Sequence, residues 1–265
     1  MYIKGVDPLK VWRVDKLEVK VFHTREEMAR AAAQEAAEEI MQLLSVKQTV
    51  NIAFAAAPSQ NEFLDFLVDY KGIDWTRVTA FHLDEYIGLP CHAPQKFSCY
   101  LRKKVFSRVP VGRVYYIDNG RTRSPDEMCD RYSRLLKEHP LDIVFLGIGE
   151  NGHIAFNDPH VADFKDETLV KVVSLDQASR EQQVHDGCFP RLSDVPSHAI
   201  TMTIPAIMAA KRIICVVPGP RKQRAVAQTL LGPITTKCPA SVLRQHPRAT
   251  LYLDAEAAAL VLGRE

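Results

Sequence analysis

Residues 141–159, LDIVFLGIGENGHIAFNDP, decide the fold class of this 265-residue chain. The apolar run at 141–146 predicts a strand that is buried on both faces, as in a parallel sheet. Three glycines within the next six residues allow the backbone to turn sharply where that strand ends. His153, Asn157 and Asp158 follow the turn directly. Because open α/β sheets bind ligands at the carboxyl ends of their strands, we expect these side chains at a ligand site.

Strand and helix patterns alternate along the whole chain. Thr24 and Glu27 have the spacing of a capping box, and Ser124 precedes Pro125 as a second helix start. The predicted helices cover 24–44, 59–70, 97–106, 124–137, 221–231 and 240–244, and the predicted strands cover 49–57, 78–83, 114–117, 141–146, 168–174, 199–203, 212–217 and 249–253. This alternation predicts a Rossmann-like α/β fold with a mostly parallel sheet flanked by helices. We expect one domain over residues 1–265, with 1–20 as an N-terminal extension or edge segment.

Composition and charge argue against several classes of protein. The net charge is +2, from 34 basic and 32 acidic residues. The chain therefore lacks the excess of positive charge that is typical of proteins that bind nucleic acid or a membrane surface. The N-terminus has no signal-peptide pattern, and no apolar run is long enough to cross a bilayer. The six cysteines are scattered without a Cys-x-x-Cys pair, as reduced thiols in a cytosol would be. We therefore expect a cytoplasmic protein.

The glycine spacing after the first strand also matches a dinucleotide fingerprint. Gly147, Gly149 and Gly152 have that spacing, and Asp176 lies about where the ribose-binding acid would be. The third glycine should then open a long helix that holds a pyrophosphate. Pro159 interrupts this segment too early, so we favour a turn that presents His153 and predict no cofactor.

A second loop, FHLDEYIGLP at 81–90, follows another predicted strand. Asp84 and Glu85 are adjacent there, and in extended backbone only one of them should face a ligand. If this loop and the His153 loop meet, Asp84 and His153 form a pair that can move protons between carbon and oxygen. The alternative is that the two acids only cap the following helix.

Metal catalysis is a competing use of the same residues. The histidine and aspartate side chains near these loops offer ligands, but no helical His-x-x-x-His pair or Cys/His zinc spacing is present. The candidates are His82, Asp84, His92, His153, Asp158 and His160. We predict no metal site and expect His82 to pack within its strand.

A third run, VVPGPRKQR at 216–224, places a strand, a Gly/Pro turn and a basic helix start in succession. Backbone amides at a helix start and nearby cations such as Lys222 attract a phosphate or carboxylate. The alternative is a solvated basic face on this helix.

These runs resemble the glucosamine-6-phosphate deaminase (isomerase) family, in the superfamily that includes 6-phosphogluconolactonases and ribose-5-phosphate isomerases. FHLDEYIGLP is similar to the family's F-x-M-D-E-Y-x-G-L-P loop, and residues 146–159 to its G-x-G-x-[DN]-G-H-I-x-F-N-E-P loop. ASVLRQHPRAT at 240–250 resembles the segment I-S-x-L-Q-x-H-P-x-A. The resemblance covers residues 24–258 in the same order, and the continuation after His153 favours the amino-sugar branch over the lactonases.

The resemblance implies a role for each matching residue. Asp84 corresponds to the base that moves a proton from C2 to C1 of the opened sugar, and His153 to the residue that opens the ring. Asp158 stands where the family has a glutamate beside this histidine, and Asn151 where it has Asp or Asn. These four are the candidate catalytic residues. The candidate substrate-binding residues are Ser59, Gln60, Glu85 and Lys222.

Two departures from the family pattern concern phosphate recognition. The family has a glycine-containing phosphate turn after its first strand, whereas residues 55–60 read AAAPSQ, with Ser59 keeping the hydroxyl. Gln183 falls where the family has an arginine, which Arg180 replaces only in a shifted alignment. The residues of the family's allosteric site are poorly matched around 169–173, so we expect no such activation.

The predicted function is a deaminase and isomerase that converts glucosamine 6-phosphate and water to fructose 6-phosphate and ammonia. The alternatives are an isomerase or deaminase of another or non-phosphorylated sugar and a non-catalytic sugar-sensing domain; 6-phosphogluconolactonase activity is the least favoured. The expected partner is a small sugar or sugar phosphate, without nucleic acid or membrane. The sequence leaves the substrate, homo-oligomer formation and the physiological direction open.

Overall fold

The structure, a computed structural model, describes residues 6–120 and 124–263. Residues 1–5 of the predicted N-terminal segment lie outside this range. The strands are β1 (Lys10–Val14), β2 (Leu17–Phe22), β3 (Val50–Phe54), β4 (Val78–His82), β5 (Asp84–Tyr86), β6 (Arg113–Val114), β7 (Ile143–Leu146), β8 (Val170–Ser174), β9 (His198–Met202), β10 (Arg212–Val217) and β11 (Ala249–Asp254). The α-helices are α1 (Arg25–Val46), α2 (Asn61–Asp69), α3 (Phe97–Leu101), α4 (Pro125–Glu138), α5 (Gln177–His185), α6 (Ile204–Met208) and α7 (Gln223–Leu231).

Eight of the described strands form one sheet in the order β1-β2-β11-β10-β7-β3-β4-β6. Every neighbouring pair is parallel except the hairpin β1–β2, which lies at one edge. The mostly parallel sheet is therefore confirmed. The chain runs outward in opposite directions from the pair β3 and β7, and such a reversal opens a crevice at the carboxyl ends of the two strands.

Helices cover both faces of this sheet. The central strands β3, β7 and β10 are buried along their whole length, as their continuous apolar runs predict. α1 packs a row of buried alanines on one face, where small side chains allow close contact with the strands. α4 and α7 bury apolar side chains in the core on the opposite face. The capping box of Thr24 with Glu27 and the Ser124 cap are both present.

A second sheet differs from the sequence prediction. β5, β9 and β8 pair antiparallel in that order, apart from the main sheet. The predicted strands at 168–174 and 199–203 are present within a residue or two, but they belong to this smaller sheet. Alternation of strands and helices indicates element order, and it cannot tell which sheet a strand joins.

Several short elements also differ from their predicted form. The stretch predicted as a helix at 97–106 is a short α-helix that continues as a π-helical turn at Arg102–Phe106, and Pro239–Gln245 is a 3-10 helix. Helices α5 and α6 and strands β1, β2 and β5 were not predicted as elements. No helix in the described ranges has the length and apolar character needed to span a membrane.

Candidate active site

A cleft lies at the carboxyl ends of β3, β4, β7 and β10, where the sequence predicted a ligand site. The loops after these strands and helix α5 form its walls. Its polar lining consists of Ser59, Gln60, Asp84, His153, Gln182, Gln183 and Lys222. Ala55, Ala56 and Ala57 form the backbone turn beside Ser59. The three runs singled out in the sequence therefore meet around one cleft.

Asp84 and Glu85 point to opposite sides of β5. Asp84 lines the cleft, whereas Glu85 does not. The Glu85 carboxylate accepts hydrogen bonds from Phe97 N (3.1 Å), from Ser98 N (3.0 Å) and from Ser98 Oγ (2.7 Å) at the start of α3. Glu85 was predicted to bind substrate; the structure places its side chain away from the cleft, because strand alternation turns it to the other face, where it satisfies the free amides of a helix start.

The environment of Asp84 favours its protonated form. Burial, and then the negative charge of neighbouring Glu85, raise the pKa of Asp84 well above that of an ordinary aspartate. Once it is ionised, a carboxylate in this environment has a higher affinity for a proton than an exposed carboxylate has. Asp84 therefore has the properties of a general base.

His82 fixes the backbone next to Asp84. Its Nε2 accepts a hydrogen bond from Ile117 N (2.9 Å), so Nδ1 carries the proton and donates to the Asp84 carbonyl (2.8 Å). The ring is fully buried, and burial lowers the pKa of His82. His82 is therefore a neutral packed strand residue, as the sequence predicted, and its contact with Asp84 was not foreseen.

His153 lies on the opposite wall of the cleft, with Asn151 and Asp158 behind it. Its Nδ1 is 3.1 Å from Oδ1 of Asp158, and its backbone N–H donates to Asn151 Oδ1 (3.0 Å). Asn151 Nδ2 in turn donates to Asp158 Oδ1 (3.1 Å). Asn151 and Asp158 do not line the cleft, so they are positioned to orient His153 and not to touch a ligand.

Asp158 is ionised although it is fully buried. Burial opposes its ionisation, but nearby His153, the Asn151 amide and the Asp176 N–H together lower the pKa of Asp158. A negative charge beside Nδ1 favours the tautomer that carries its proton there and leaves Nε2 free to exchange a proton with a ligand.

The glycines of the His153 loop make room for the imidazole. A Cβ on Gly149 would lie 2.2 Å from the His153 ring, and Gly152 has a φ of +83°. Asp176, the candidate ribose ligand of the dinucleotide alternative, caps α5 instead. The loop therefore presents a histidine, as we favoured from the sequence.

Lys222 forms the cationic end of the cleft. Its side chain is buried, and the described residues provide no hydrogen bond or ion pair to its ammonium group. Burial lowers the pKa of Lys222, while Asp186 and Glu150 oppose this effect from a distance. A desolvated cation without a partner attracts an anion. Arg221 and Arg224, in contrast, are exposed and do not line the cleft.

Ser59 and Gln60 lie beside this cationic end. The Gln60 amide donates to Val216 O (3.1 Å) and to Ser59 Oγ (3.3 Å), which holds both side chains in place. Gln60 is 1% exposed. Ser59 therefore presents a hydroxyl to the cleft, and Gln60 braces the wall between β3 and β10.

Gln183 occupies the wall where the resemblance implies an arginine. The part of the chain that the structure describes provides no hydrogen bond to its side chain. Arg180 cannot replace that arginine, because its guanidinium donates to the carbonyls of Leu192 (2.8 Å) and Val195 (2.9 Å). Neighbouring Gln182 also lines the cleft and was missed, because α5 was not predicted as a helix.

One group within the described ranges could hold a metal ion: Asp158, His160 and Asp176 have ligand atoms within 4.8 Å of one another. Both carboxylates already accept hydrogen bonds from the Asn151 amide. His82 and His92, which were considered as ligands from the sequence, do not belong to this group.

Comparisons with known proteins show the family of this chain. A family model described as glucosamine-6-phosphate isomerases/6-phosphogluconolactonase matches residues 23–252. A glucosamine-6-phosphate deaminase of Listeria welshimeri is 38% identical over 232 residues, which cover 88% of this chain and 97% of the relative. One of Bacillus cytotoxicus is 39% identical over 188 residues, 71% of this chain and 70% of the relative.

Solved structures share the fold. A monomeric glucosamine-6-phosphate deaminase superimposes with a TM-score of 0.83 at 31% identity and covers 91% of this chain and 99% of its own. A 6-phosphogluconolactonase of Thermotoga maritima superimposes with a TM-score of 0.74 at 18% identity, over 90% of this chain and 100% of its own. The second likeness concerns the fold alone.

Proposed function

The chain belongs to the family of glucosamine-6-phosphate isomerases and 6-phosphogluconolactonases, and we propose that it is a glucosamine-6-phosphate deaminase. The observation that carries this proposal is the placement of Asp84 and His153 in one cleft, with the buried cation of Lys222. An acid–base pair and an anion site are what a sugar phosphate isomerisation needs. All six cysteines are free, which supports a cytoplasmic location.

The reaction begins with ring opening. His153 takes the proton from O1 of the cyclic sugar and delivers it to O5 as the C1–O5 bond breaks. Asp158 and Asn151 keep the imidazole in the orientation for this transfer. The product is the open-chain amino aldehyde, whose C2–H is acidified by the adjacent carbonyl.

Proton transfer between carbons follows. Asp84 removes the proton from C2, the C–H electrons form a C1–C2 double bond, and the π electrons of the C1 carbonyl move to O1, which takes a proton from water. The same carboxyl then returns the proton to C1 while the nitrogen lone pair forms a double bond to C2. The nitrogen at C2 is then an iminium, which water hydrolyses to a ketone and ammonia. Atoms balance as one amino sugar phosphate and one water giving one ketose phosphate and one ammonia. The raised pKa of Asp84 suits both the removal and the return of the proton.

The neighbouring lactonase activity has less support. Lactone hydrolysis adds water at a carbonyl carbon and moves no proton between carbon atoms, and the likeness to a lactonase of 18% identity concerns the fold alone. A sugar sensor likewise needs no acid–base pair. A different or non-phosphorylated amino sugar stays an alternative, because the turn at 55–57 consists of alanines and Gln183 is neutral.

The test is ammonia release from a panel of amino sugars and their 6-phosphates, with deuterium uptake from solvent into the ketose product. We expect glucosamine 6-phosphate to be the best substrate. Asp84→Asn should lower turnover by roughly two to four orders of magnitude and abolish deuterium uptake. Absence of ammonia release from every amino sugar, or wild-type deuterium uptake in Asp84→Asn, would refute the proposal.

A further inference from the structure

We infer that Asp176 is a positioning residue that orients His153 through Asn151 and Asp158 and ties this group to helix α5. The inference rests on the proposed function, in which His153 opens the sugar ring. Asp176 does not line the cleft, so it acts through its neighbours. The competing interpretation is that Asp176 is only the N-cap of α5.

Three of the hydrogen bonds of Asp176 lead in two directions. Oδ1 accepts from Ser179 N (2.6 Å), which is the N-cap contact. Oδ2 accepts from Asn151 Nδ2 (3.0 Å), and the backbone N–H of Asp176 donates to Asp158 Oδ2 (3.1 Å). A simple cap needs only the first of these contacts. The other two join the helix start to the residues behind His153.

The Asn151 amide is oriented by the two carboxylates. Its Nδ2 donates both protons, one to Asp158 and one to Asp176, so its Oδ1 must face the other way. That oxygen accepts the backbone N–H of His153. Without Asp176, one proton of the amide loses this acceptor, and the amide is held only by its bonds to Asp158 and to the backbone N–H of His153. Asp176 therefore fixes the direction of the contact that anchors His153.

Helix α5 also contacts the His153 loop through Gln182, a residue within the helix. Gln182 Oε1 accepts from the backbone N–H of Glu150 (2.8 Å), next to Asn151 in the chain. Gln182 and Gln183 both line the cleft. α5 is thus attached to the loop at two points while one of its faces lines the cleft. A ligand that contacts Gln183 acts on a helix that is bonded to the residues behind His153.

The experiment compares Asp176→Ser with Asp176→Asn and Asp176→Ala. Serine retains the N-cap contact to Ser179 N and removes the oxygen that accepts from Asn151. Asparagine retains size but can place an NH₂ group against the Asn151 NH₂. Asp74→Ser is the matched control, because Asp74 caps the 3-10 turn Trp75–Arg77 through Thr76 N (3.2 Å) and does not line the cleft.

We expect Asp176→Ser to lower kcat without lowering the stability of the fold. Loss of a charge-assisted hydrogen bond should lower kcat of Asp176→Ser by about tenfold, with KM and Tm close to those of Asp74→Ser. Asp176→Asn should resemble Asp176→Ser. A wild-type kcat in Asp176→Ser, with loss of stability only in Asp176→Ala, would leave Asp176 as a cap and overturn the inference.

A second measurement does not depend on activity. The backbone amide of His153 is observed by ¹H–¹⁵N NMR in the ligand-free protein, with His153→Gln for assignment. In Asp176→Ser the amide proton should move upfield, since its bond to Asn151 Oδ1 weakens, and Asp74→Ser should leave it unchanged. If the wild type releases no ammonia, the proposed function is refuted. The amide signal of His153 still tests whether Asp176 acts on His153 through Asn151. If the His153 amide proton does not move in Asp176→Ser, the inference is refuted even when the enzyme is active.

Discussion

Gln183→Arg tests whether one neutral residue limits phosphate recognition in this cleft. Gln183 lies in the same cleft as Lys222, it is 7% exposed, and its side chain has no hydrogen bond within the described residues. An arginine there breaks no side-chain hydrogen bond of Gln183 within the described residues. Its guanidinium can bind two phosphate oxygens at once, which a lysine cannot do.

The size of the gain follows from the strength of one charge-assisted contact, about 1.5–3 kcal/mol. At 1.36 kcal/mol per factor of ten, this range corresponds to roughly 10- to 150-fold tighter binding. Repulsion between the new cation and buried Lys222 works against the gain when the cleft is empty. We therefore expect about a tenfold lower KM for glucosamine 6-phosphate, with kcat little changed.

The assay is ammonia release from glucosamine 6-phosphate and from unphosphorylated glucosamine, with inorganic phosphate as a competitive inhibitor. Gln183→Met is the matched control for size, and Gln183→Glu should weaken phosphate binding. The gain should appear for the phosphorylated sugar and for inorganic phosphate and be absent for glucosamine. An equal change for both sugars, or no change with phosphate, would show that Gln183 does not face the anion.

Other perturbations address the acid–base pair. His153→Gln should impair a cyclic substrate far more than an acyclic amino ketone or aldehyde analogue, and equal losses on both would argue against ring opening by His153. Because burial and then Glu85 raise the pKa of Asp84, the base becomes protonated at a higher pH than an ordinary aspartate does. The acidic limb of kcat/KM should therefore lie well above about pH 4, and full activity down to that pH would contradict the assignment. Gly149→Ala should abolish turnover with a near-normal Tm, since its Cβ would meet the His153 ring at 2.2 Å, and an active variant would show that the ring can move aside.

The main sheet and the location of the cleft could be predicted because each depends on local patterns. The strand at 141–146, the capping box at Thr24 and the turn before His153 are visible in neighbouring residues. The smaller sheet could not be predicted in the same way. β5 is three residues long, and its partner β9 follows more than a hundred residues later, so no local pattern shows the pairing.

The candidate site likewise contains residues that the sequence identified and residues that it did not. Asp84, His153 and Lys222 were found from the loops that carry them, and all three line the cleft. Glu85 was grouped with the substrate-binding candidates because the sequence shows two adjacent acids without their surroundings. Gln182 was missed, and Asp176 was considered only as a ribose ligand, because their contacts depend on α5, whose polar sequence has only weak apolar periodicity.

The pairing of β5 with β9 decides which of two acids meets the substrate. Asp84 is opposite Thr201, and Glu85 is opposite Ile200. A slip of one residue would exchange the two faces of the strand and turn Glu85 into the cleft, while Asp84 would face the start of α3. An acid would still be present, but its carboxyl would stand one methylene further from the backbone and the helix would lose its partner. Insertions or deletions near residue 200, far from the cleft in sequence, should thus be selected against as strongly as substitutions of the base itself.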